Sequence, residues 1–171
     1  MAIYFMRHAQ TPGNAANLWV GRKDEGLTLT GIVELERQLE KIIDVQFSGI
    51  YCSPLERARK TAEIAKKALG IGSEVQVVDA LMERDFGNFE GMPKTTANRQ
   101  ALEGDDSVES SKALALRIEP FFHQIMKEEA HHLVISHSAV FRCLMQGPYT
   151  SIPMRSSLEN AETVILSSIN H

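Results

Sequence analysis

Two arginines and two histidines stand where apolar, strand-like runs of this sequence end. Arg7 and His8 follow the apolar run 2–6, His137 closely follows another such run, and Arg57 lies in the first turn of a helix predicted after a third. A guanidinium presents a planar set of donors that suits phosphate, and an imidazole can act as a nucleophile, base or acid near neutral pH. Because ligands bind at the carboxyl ends of the strands in open α/β sheets, we expect these four side chains to converge there. A bound dianion would offset their mutual repulsion, and a phosphoryl group is the natural candidate.

A carboxylate stands on the loop predicted to follow another strand. The segment 81–91 contains Glu83, two phenylalanines and two glycines. A carboxylate beside Phe side chains is partly removed from water, which suits it to proton transfer. We therefore expect Glu83 to act as an acid and a base at the same edge of the sheet.

Apolar periodicity divides the chain into the strands and helices that would carry these residues. The predicted strands are 2–6, 49–52, 75–78, 133–135 and 163–166. The predicted helices are 31–43, 54–69, 111–130 and 139–145. Strands alternate with helices and no segment repeats, which predicts a single three-layer α/β/α domain over 1–171 with a mostly parallel central sheet. The polar stretch 92–112 is predicted to be a short cap, formed by a mobile loop or lid.

Composition and charge disfavour several functional classes. The 171 residues carry a net charge of -4, which argues against binding to nucleic acid through a broad basic surface. The two cysteines, Cys52 and Cys143, do not form a disulfide scaffold and fit a reducing compartment. No stretch approaches the ~20 apolar residues of a membrane span, and charge interrupts the first apolar run too early for a signal peptide. We therefore expect a cytoplasmic protein with no membrane partner, and a disordered terminal His171.

Two other kinds of site are not supported by the spacing. His131 and His132 could be grouped with His137 as metal ligands, but adjacent histidines diverge in direction and no cysteine or carboxylate stands at ligand spacing. The segment between Cys52 and Arg57 is one residue shorter than the loop of cysteine phosphatases requires. Neither a metal site nor a cysteine nucleophile is therefore predicted.

Four short segments together resemble the sequence motifs of the histidine phosphatase superfamily, which includes the phosphoglycerate mutases. The segments are Arg7-His8-Ala9-Gln10-Thr11 with Asn14; Ser53-Pro54-Leu55 with Arg57-Ala58 and Thr61-Ala62; Leu81 with Glu83, Gly87 and Glu90-Gly91; and His137-Ser138 with Arg142. They occur in the order of the family's motifs and span nearly the whole chain. The resemblance implies the same phosphoglycerate mutase-like α/β/α fold.

The resemblance also implies a reaction through a phosphorylated histidine. Neutral His8 would attack phosphorus in line. Arg7, Arg57 and His137 would balance the charge on the phosphoryl oxygens in the transition state. Glu83 would give a proton to the leaving alkoxide and then take one from the water that cleaves the phosphoenzyme. The cationic side chains would replace a metal ion, so no metal or other cofactor is expected.

Further residues are expected to bind the substrate. Asn14 would donate an amide N–H to the same phosphoryl oxygens, and the backbone N–H of Ser138 would add another. Gln10 is assigned to substrate binding from its place in the first motif, and Arg22 is assigned a contact with the leaving group.

Departures from the family pattern leave alternatives open. The family usually has glycine where this sequence has Ala9 and Ser138, and each would add a small group near the phosphate. Lower turnover and a non-catalytic module that binds phospho-ligands are therefore alternatives to an active enzyme. The Arg-His-Ala sequence also resembles the branch that dephosphorylates protein phosphohistidine. Asn14 and Glu83 favour phosphate esters, because an alkoxide leaving group needs a proton.

The short insert favours a phosphatase over a mutase. Only 41 residues lie between Gly91 and Leu133, and a predicted helix uses about half of them. Phosphoglycerate mutases carry a larger cap that retains the intermediate between transfers, whereas a small cap admits water. We therefore predict a phosphatase that hydrolyses phosphate monoesters of a small metabolite or a phosphoprotein, with a phosphoglycerate mutase-type phosphotransferase as the alternative.

Overall fold

The first strand, β1 (Ala2–Arg7), lies inside a six-stranded sheet, and apolar residues on both of its faces are buried. The computed structural model describes residues 2–169, so the prediction for His171 lies outside the described residues. The other strands are β2 (Gly49–Cys52), β3 (Val75–Val77), β4 (His131–Ser136), β5 (Tyr149–Ile152) and β6 (Thr163–Ser168). Their order is β3-β2-β4-β1-β6-β5. The first four strands of this order are parallel, β6 is antiparallel to β1, and β5 is antiparallel to β6.

Helices cover both faces of the sheet. They are α1 (Pro12–Ala15), α2 (Leu29–Glu40), α3 (Glu56–Ala68), α4 (Thr96–Leu102), α5 (Ser111–Ile125) and α6 (Ser138–Met145). Short 3-10 helices occupy Asp79–Leu81 and Gly87–Phe89. Among the helices within residues 2–169, none is long and apolar enough to cross a bilayer.

The side chains of β4 alternate between the two faces of the sheet and contact a helical layer on each. Val134 packs on one face with apolar residues of α5 and α6. Leu133 and Ile135 pack on the other face with residues of α2 and α3. Successive side chains of a strand point to opposite faces, so one buried strand supplies both cores. The predicted three-layer α/β/α fold with a mostly parallel sheet is confirmed.

The strand register brings three loops to one edge of the sheet. Arg7 pairs with Ser136 across β1 and β4, and Cys52 pairs with Ile135 across β2 and β4. The carboxyl ends of β1, β2 and β4 are therefore level with one another in the sheet. The residues that follow these ends are His8, Ser53 and His137. This edge holds the candidate site.

Two parts of the fold differ from the sequence-based predictions. The segment 148–161, which lies between the predicted helix 139–145 and the predicted strand 163–166 and to which no strand was assigned, contains the edge strand β5. Its sequence Tyr-Thr-Ser-Ile is short and half polar, and pairing with β6 along only one side is sufficient to form it. The segment 92–112, predicted as a mobile loop or lid, contains α4, whose amino end is capped by the side chain of Thr95.

Candidate active site

His8 lies directly after β1, with only 3% of its surface exposed. Its backbone N–H donates to the carbonyl of Ser136 at 3.0 Å, so the sheet fixes its position. Its ring Nδ1 lies 2.7 Å from the carbonyl oxygen of Ala9, and its Nε2 lies 3.3 Å from Nε of Arg57. A carbonyl only accepts and a guanidinium only donates, so Nδ1 carries the proton and Nε2 has the lone pair. The nitrogen that carries the lone pair is therefore Nε2, on the side of Arg57.

Arg57 lies in the first turn of α3 and is 1% exposed. Nη1 donates to the carbonyl of Lys23 at 2.8 Å, and Nη2 donates to the carbonyl of Gly21 at 2.5 Å. Gly21 has a φ of 56°, and a Cβ there would collide with the side chain of Glu90, so the position requires glycine. Arg57 thus ties this loop to His8 with three of its five N–H groups and retains others for an oxyanion.

Arg7 supplies a second guanidinium at the end of β1. Its Nη1 donates to the carbonyl of Leu158 at 2.8 Å. Its buried Nε has no hydrogen-bond partner within residues 2–169. Burial lowers the pKa of Arg7; the carboxylates of Glu83 and Glu159 oppose this effect, and neighbouring arginines add to it. A buried N–H without a partner and a depressed arginine pKa both indicate positive charge that an anion would stabilise.

His137 is fully buried and is the N-cap residue of α6, which begins one residue before the predicted helix 139–145. Its ring centroid lies 5.1 Å from that of His8. Neither of its ring nitrogens has a hydrogen-bond partner in the described part of the chain. Burial lowers the pKa of both histidines well below 6.5, and the charges of Arg57 and Arg7 lower them further. Both imidazoles are therefore neutral at pH 7.

Glu83 lies on the loop that follows β3, and it is 7% exposed. One carboxylate oxygen accepts from the backbone N–H of Arg84 at 2.8 Å. The other lies 3.4 Å from the backbone nitrogen of Ala139, in the first turn of α6. The first turn of α6 therefore lies beside the carboxylate and contributes a backbone N–H to it.

Asn14 and Asn160 support the site from two distant parts of the chain. Oδ1 of Asn14 accepts from the backbone N–H of Thr11 at 3.2 Å and from Nδ2 of Asn160 at 3.0 Å. The same Nδ2 donates to the carbonyl of His8 at 3.0 Å. Because Oδ1 of Asn14 is occupied twice, the amide nitrogen is the atom left for a phosphoryl oxygen.

These side chains enclose two adjoining cavities at the edge of the sheet. The first, which we call the inner cavity, has a volume of about 200 Å³ and is lined by Arg7, His8, Asn14, Arg57, Glu83 and Ser138. The second, which we call the outer cavity, has a volume of about 300 Å³ and is lined by Arg84, Leu102, Leu114 and Cys143. Both cavities are also lined by Trp19, Phe86, Arg99 and Arg142, which therefore mark where the two meet. The inner cavity suits a phosphoryl group, and the outer cavity can receive what is attached to it.

Comparison with known proteins agrees with the motifs and the geometry. The sequence profile of the histidine phosphatase superfamily (branch 1) matches residues 3–167. The chain belongs to this superfamily. Histidine phosphatases include both phosphatases and mutases, so the assignment supports an enzyme that acts on phosphoryl groups without fixing the reaction.

Relatives of both kinds occur among the similar proteins. A 2,3-bisphosphoglycerate-dependent phosphoglycerate mutase of Parvibaculum lavamentivorans is 30% identical over 166 residues, which cover 84% of this chain and 77% of the relative. The uncharacterized phosphatase PhoE of Bacillus subtilis is 35% identical over 92 residues, or 54% of this chain and 47% of the relative. A mycobacterial glucosyl-3-phosphoglycerate phosphatase solved with VO3 superposes with a TM-score of 0.81, at 21% identity over 97% of this chain and 92% of that chain. This last likeness shows the shared fold.

Gln10 and Arg22 do not line either cavity of this histidine phosphatase, although both were predicted to bind substrate. Oε1 of Gln10 accepts from the hydroxyl of Thr28 at 2.9 Å, because the chain turns away from the site after the nucleophile and packs against the start of α2. Arg22 forms an ion pair with Asp85 at 3.4 Å and donates to the carbonyl of Glu83 at 3.3 Å. Arg22 therefore holds the loop that carries Glu83.

The two departures from the family's glycines have different surroundings. Ala9 is fully buried in the core beneath α2 and α3, so its methyl group does not enter the inner cavity, contrary to the expectation that it lies near the phosphate. Ser138 lines the inner cavity, as predicted. His137 lies against His8 but does not itself line the cavity, so the ring of His8 lies between His137 and this space.

The structure adds residues that were not assigned to the site from the sequence. Asn160 lies in a polar connection with no motif, and only the fold brings it to the carbonyl of His8. Lys94 and Arg99 flank the ring of Trp19, with Nζ at 5.4 Å and Cζ at 5.3 Å from its centroid. Burial lowers the pKa of Lys94, and the charges of nearby arginines lower it further. The position of Arg142 in the last motif was a sequence signal for this cationic wall. Within residues 2–169, no group of three or more His, Cys, Asp and Glu side chains could hold a metal ion.

Proposed function

We propose that this protein is a metal-independent phosphatase that hydrolyses phosphate monoesters through a phosphohistidine intermediate on His8. The observation that carries the proposal is the state of the His8 ring. Its Nδ1–H is held by a backbone carbonyl, and its Nε2 accepts from Nε of Arg57 beside a cavity that Arg7, His8 and Arg57 line. A neutral imidazole with a fixed lone pair beside a cationic oxyanion site is the arrangement that in-line phosphoryl transfer needs.

In the first step Nε2 of His8 attacks phosphorus, and the bond from phosphorus to the ester oxygen breaks. The ring becomes cationic, and the carbonyl of Ala9 stabilises that charge through Nδ1–H. Arg7 and Arg57 balance the charge on the phosphoryl oxygens. Protonated Glu83 gives its proton to the departing alkoxide, which leaves as an alcohol.

In the second step water cleaves the phosphoenzyme. Glu83, now ionised, takes a proton from the water while the hydroxide oxygen attacks phosphorus. The bond between phosphorus and Nε2 breaks, His8 returns to its neutral form, and hydrogen phosphate leaves. Glu83 ends the cycle protonated, so the step balances without a metal ion or another reactant.

The outer cavity supports a small, negatively charged leaving group. Its volume of about 300 Å³ fits part of a metabolite. Its wall combines the aromatic rings of Trp19 and Phe86 with the cations Arg84, Arg99 and Arg142. We therefore favour a small phosphorylated metabolite with a second anionic group over a phosphoprotein, with no nucleic acid or membrane as partner. The cytoplasmic location stays a prediction.

A phosphoglycerate mutase-type transfer is the second candidate, and two observations favour it. The Parvibaculum relative is a mutase, and the outer cavity could hold the second anionic group of its type of substrate. The short 92–112 segment favours water as the acceptor. Incubation with a phosphoglycerate separates the two reactions, because a phosphatase releases inorganic phosphate and a mutase isomerises the substrate without releasing it.

The nucleophile is tested with His8→Ala. We expect this variant to lose hydrolysis of 4-nitrophenyl phosphate, while His123→Ala, changed at an exposed histidine of α5, keeps full activity. Alkaline quenching of the parent enzyme should trap a phosphoryl group that is stable to alkali, labile to acid and absent from His8→Ala, and a chelator should leave the rate unchanged. Full activity of His8→Ala would overturn the proposal. Phosphate binding without turnover by the parent would instead indicate the non-catalytic module.

A further inference from the structure

The backbone that carries Glu83 is held by an arginine of α5. Nη1 of Arg117 donates to the carbonyls of Ala80 at 2.8 Å and Met82 at 2.9 Å. Its Nη2 lies 3.4 Å from the carbonyl oxygen of Glu83 itself. One guanidinium therefore contacts three carbonyls within residues 80–83. We call the loop 81–91, which carries Glu83, the acid loop.

Glu109, just before α5, fixes that guanidinium. Its two carboxylate oxygens accept from Nε and Nη2 of Arg117, each at 2.9 Å, in a bidentate pair. The oxygen that faces Nη2 also accepts from the backbone N–H of Asp85 at 3.2 Å and lies 3.4 Å from Nη2 of Arg22. The side chains of Glu109 and Arg117 are 12% and 22% exposed, so water screens the pair only partly.

The carboxylate of Glu109 is stabilised as an anion. Burial acts to raise its pKa, but hydrogen bonds and charge from Arg117, the N–H of Asp85 and the charge of Arg22 outweigh burial and lower it. The pair is therefore charged at neutral pH. Neither of its members lines the inner or the outer cavity.

We propose that the Glu109–Arg117 pair is a positioning device that sets where the Glu83 carboxylate meets the leaving-group oxygen. The proposal rests on the role proposed above for Glu83. The Glu83 side chain is held by two backbone N–H groups, one of them at 3.4 Å, so the course of its own backbone decides where the carboxylate lies. A displacement of about 1 Å can lower a rate about 10²-fold when proton transfer requires hydrogen-bond contact.

Leaving-group dependence distinguishes positioning of an acid from general support of the fold. The 4-nitrophenolate ion leaves without a proton, whereas an alkoxide requires one. We expect Glu109→Gln to lower kcat/KM for an alkyl phosphate about 10- to 100-fold and for 4-nitrophenyl phosphate less than about threefold. Glu83→Gln should give the same pattern with a larger loss. Arg117→Lys, which keeps the charge but not the bidentate contact, should resemble Glu109→Gln.

Matched controls lie on the same helix and should behave as the parent. Glu119→Gln and Lys112→Gln change exposed charges of α5 away from the acid loop. A double variant tests the positioning role even if Glu109→Gln lowers the stability of the protein, because the comparison uses the ratio of kcat/KM for the two substrates. In the Glu83→Gln background, Glu109→Gln should cause no further leaving-group-dependent loss, because the acid it positions is already absent.

The outcomes separate this inference from the proposed function. One outcome would overturn the positioning role. In it, Glu83→Gln lowers kcat/KM mainly for the alkyl phosphate, whereas Glu109→Gln and Arg117→Lys lower kcat/KM equally for both substrates. The pair would then support the fold only. If Glu83→Gln itself affects both substrates equally, the assignment of the acid fails, and the positioning role fails with it. A phosphohistidine trapped on His8 would still stand in that case.

Discussion

The inner and outer cavities are built in different ways, although they adjoin. Cationic and amide groups at the inner cavity are tied to backbone carbonyls: Arg57 to Gly21 and Lys23, Arg7 to Leu158, and Asn160 to His8. At the outer cavity, cations lie over aromatic faces, as Arg99 does over Trp19 and Arg84 over Phe86. The inner groups are therefore fixed in position by backbone hydrogen bonds, whereas the outer cations are held against ring faces.

This contrast separates two tasks. A preorganised site stabilises the transition state common to every phosphate ester, because its dipoles do not reorganise during the reaction. Cations on an aromatic wall recognise features of one leaving group and act mainly on binding. Inner substitutions should therefore lower kcat for all substrates, and outer substitutions should change KM for particular ones.

The largest effect is expected for Arg57→Lys. Lysine keeps the charge but cannot contact His8 and the loop carbonyls at once. We expect kcat to fall about 10²- to 10³-fold for both phenyl phosphate and an alkyl phosphate, as measured by phosphate release. The matched control is Arg59→Lys, exposed on the same helix, which should leave kcat unchanged. A loss confined to one leaving group would contradict the division of tasks.

A smaller and more selective effect is expected for Arg142→Gln, at the junction of the cavities. We expect KM for a phenyl phosphate that carries a ring carboxylate to rise about tenfold relative to phenyl phosphate, because one charge-assisted hydrogen bond is lost. Arg155→Gln, which removes an exposed charge paired with Glu162, is the control. Equal changes in KM for the two substrates would show that Arg142 contacts only the phosphoryl group.

The same contrast explains what could be predicted from the sequence. His8, Arg57 and His137 follow buried strands, and the strand register alone brings their positions to one edge. The apolar runs were long enough to predict those strands, so the inner cavity followed from local pattern and topology. The short edge strand β5 was missed because its half-polar sequence has no clear alternation.

The outer wall and the supports of the site depend on side-chain reach across the fold. Arg22 was assigned to the leaving group, yet it holds the acid loop, and no local pattern distinguishes these roles. Gln10 follows the nucleophile in sequence but faces α2. Asn160 contacts His8 across more than 150 positions of sequence. Such contacts require the tertiary structure.

The smallest expected effect is on the pH dependence of the free energy of unfolding, and substitutions at the inner and the outer cavity should differ in it. Burial and the charges of Arg57 and Arg7 lower the pKa of His8 in the folded state, whereas the unfolded chain has the ordinary value of 6.5. Below that pH the unfolded state binds more protons, so the free energy of unfolding should fall as the pH falls toward the folded-state pKa. Urea unfolding at pH values above and below 6.5 should show this loss, and His8→Asn should reduce the slope because one buried titrating group is removed. Arg142→Gln, at the outer wall, should leave the slope as it is in the parent. A slope unchanged in His8→Asn would mean that the inner cavity accommodates a charged nucleophile, and the rigid, cation-lined surroundings inferred for it would then be wrong.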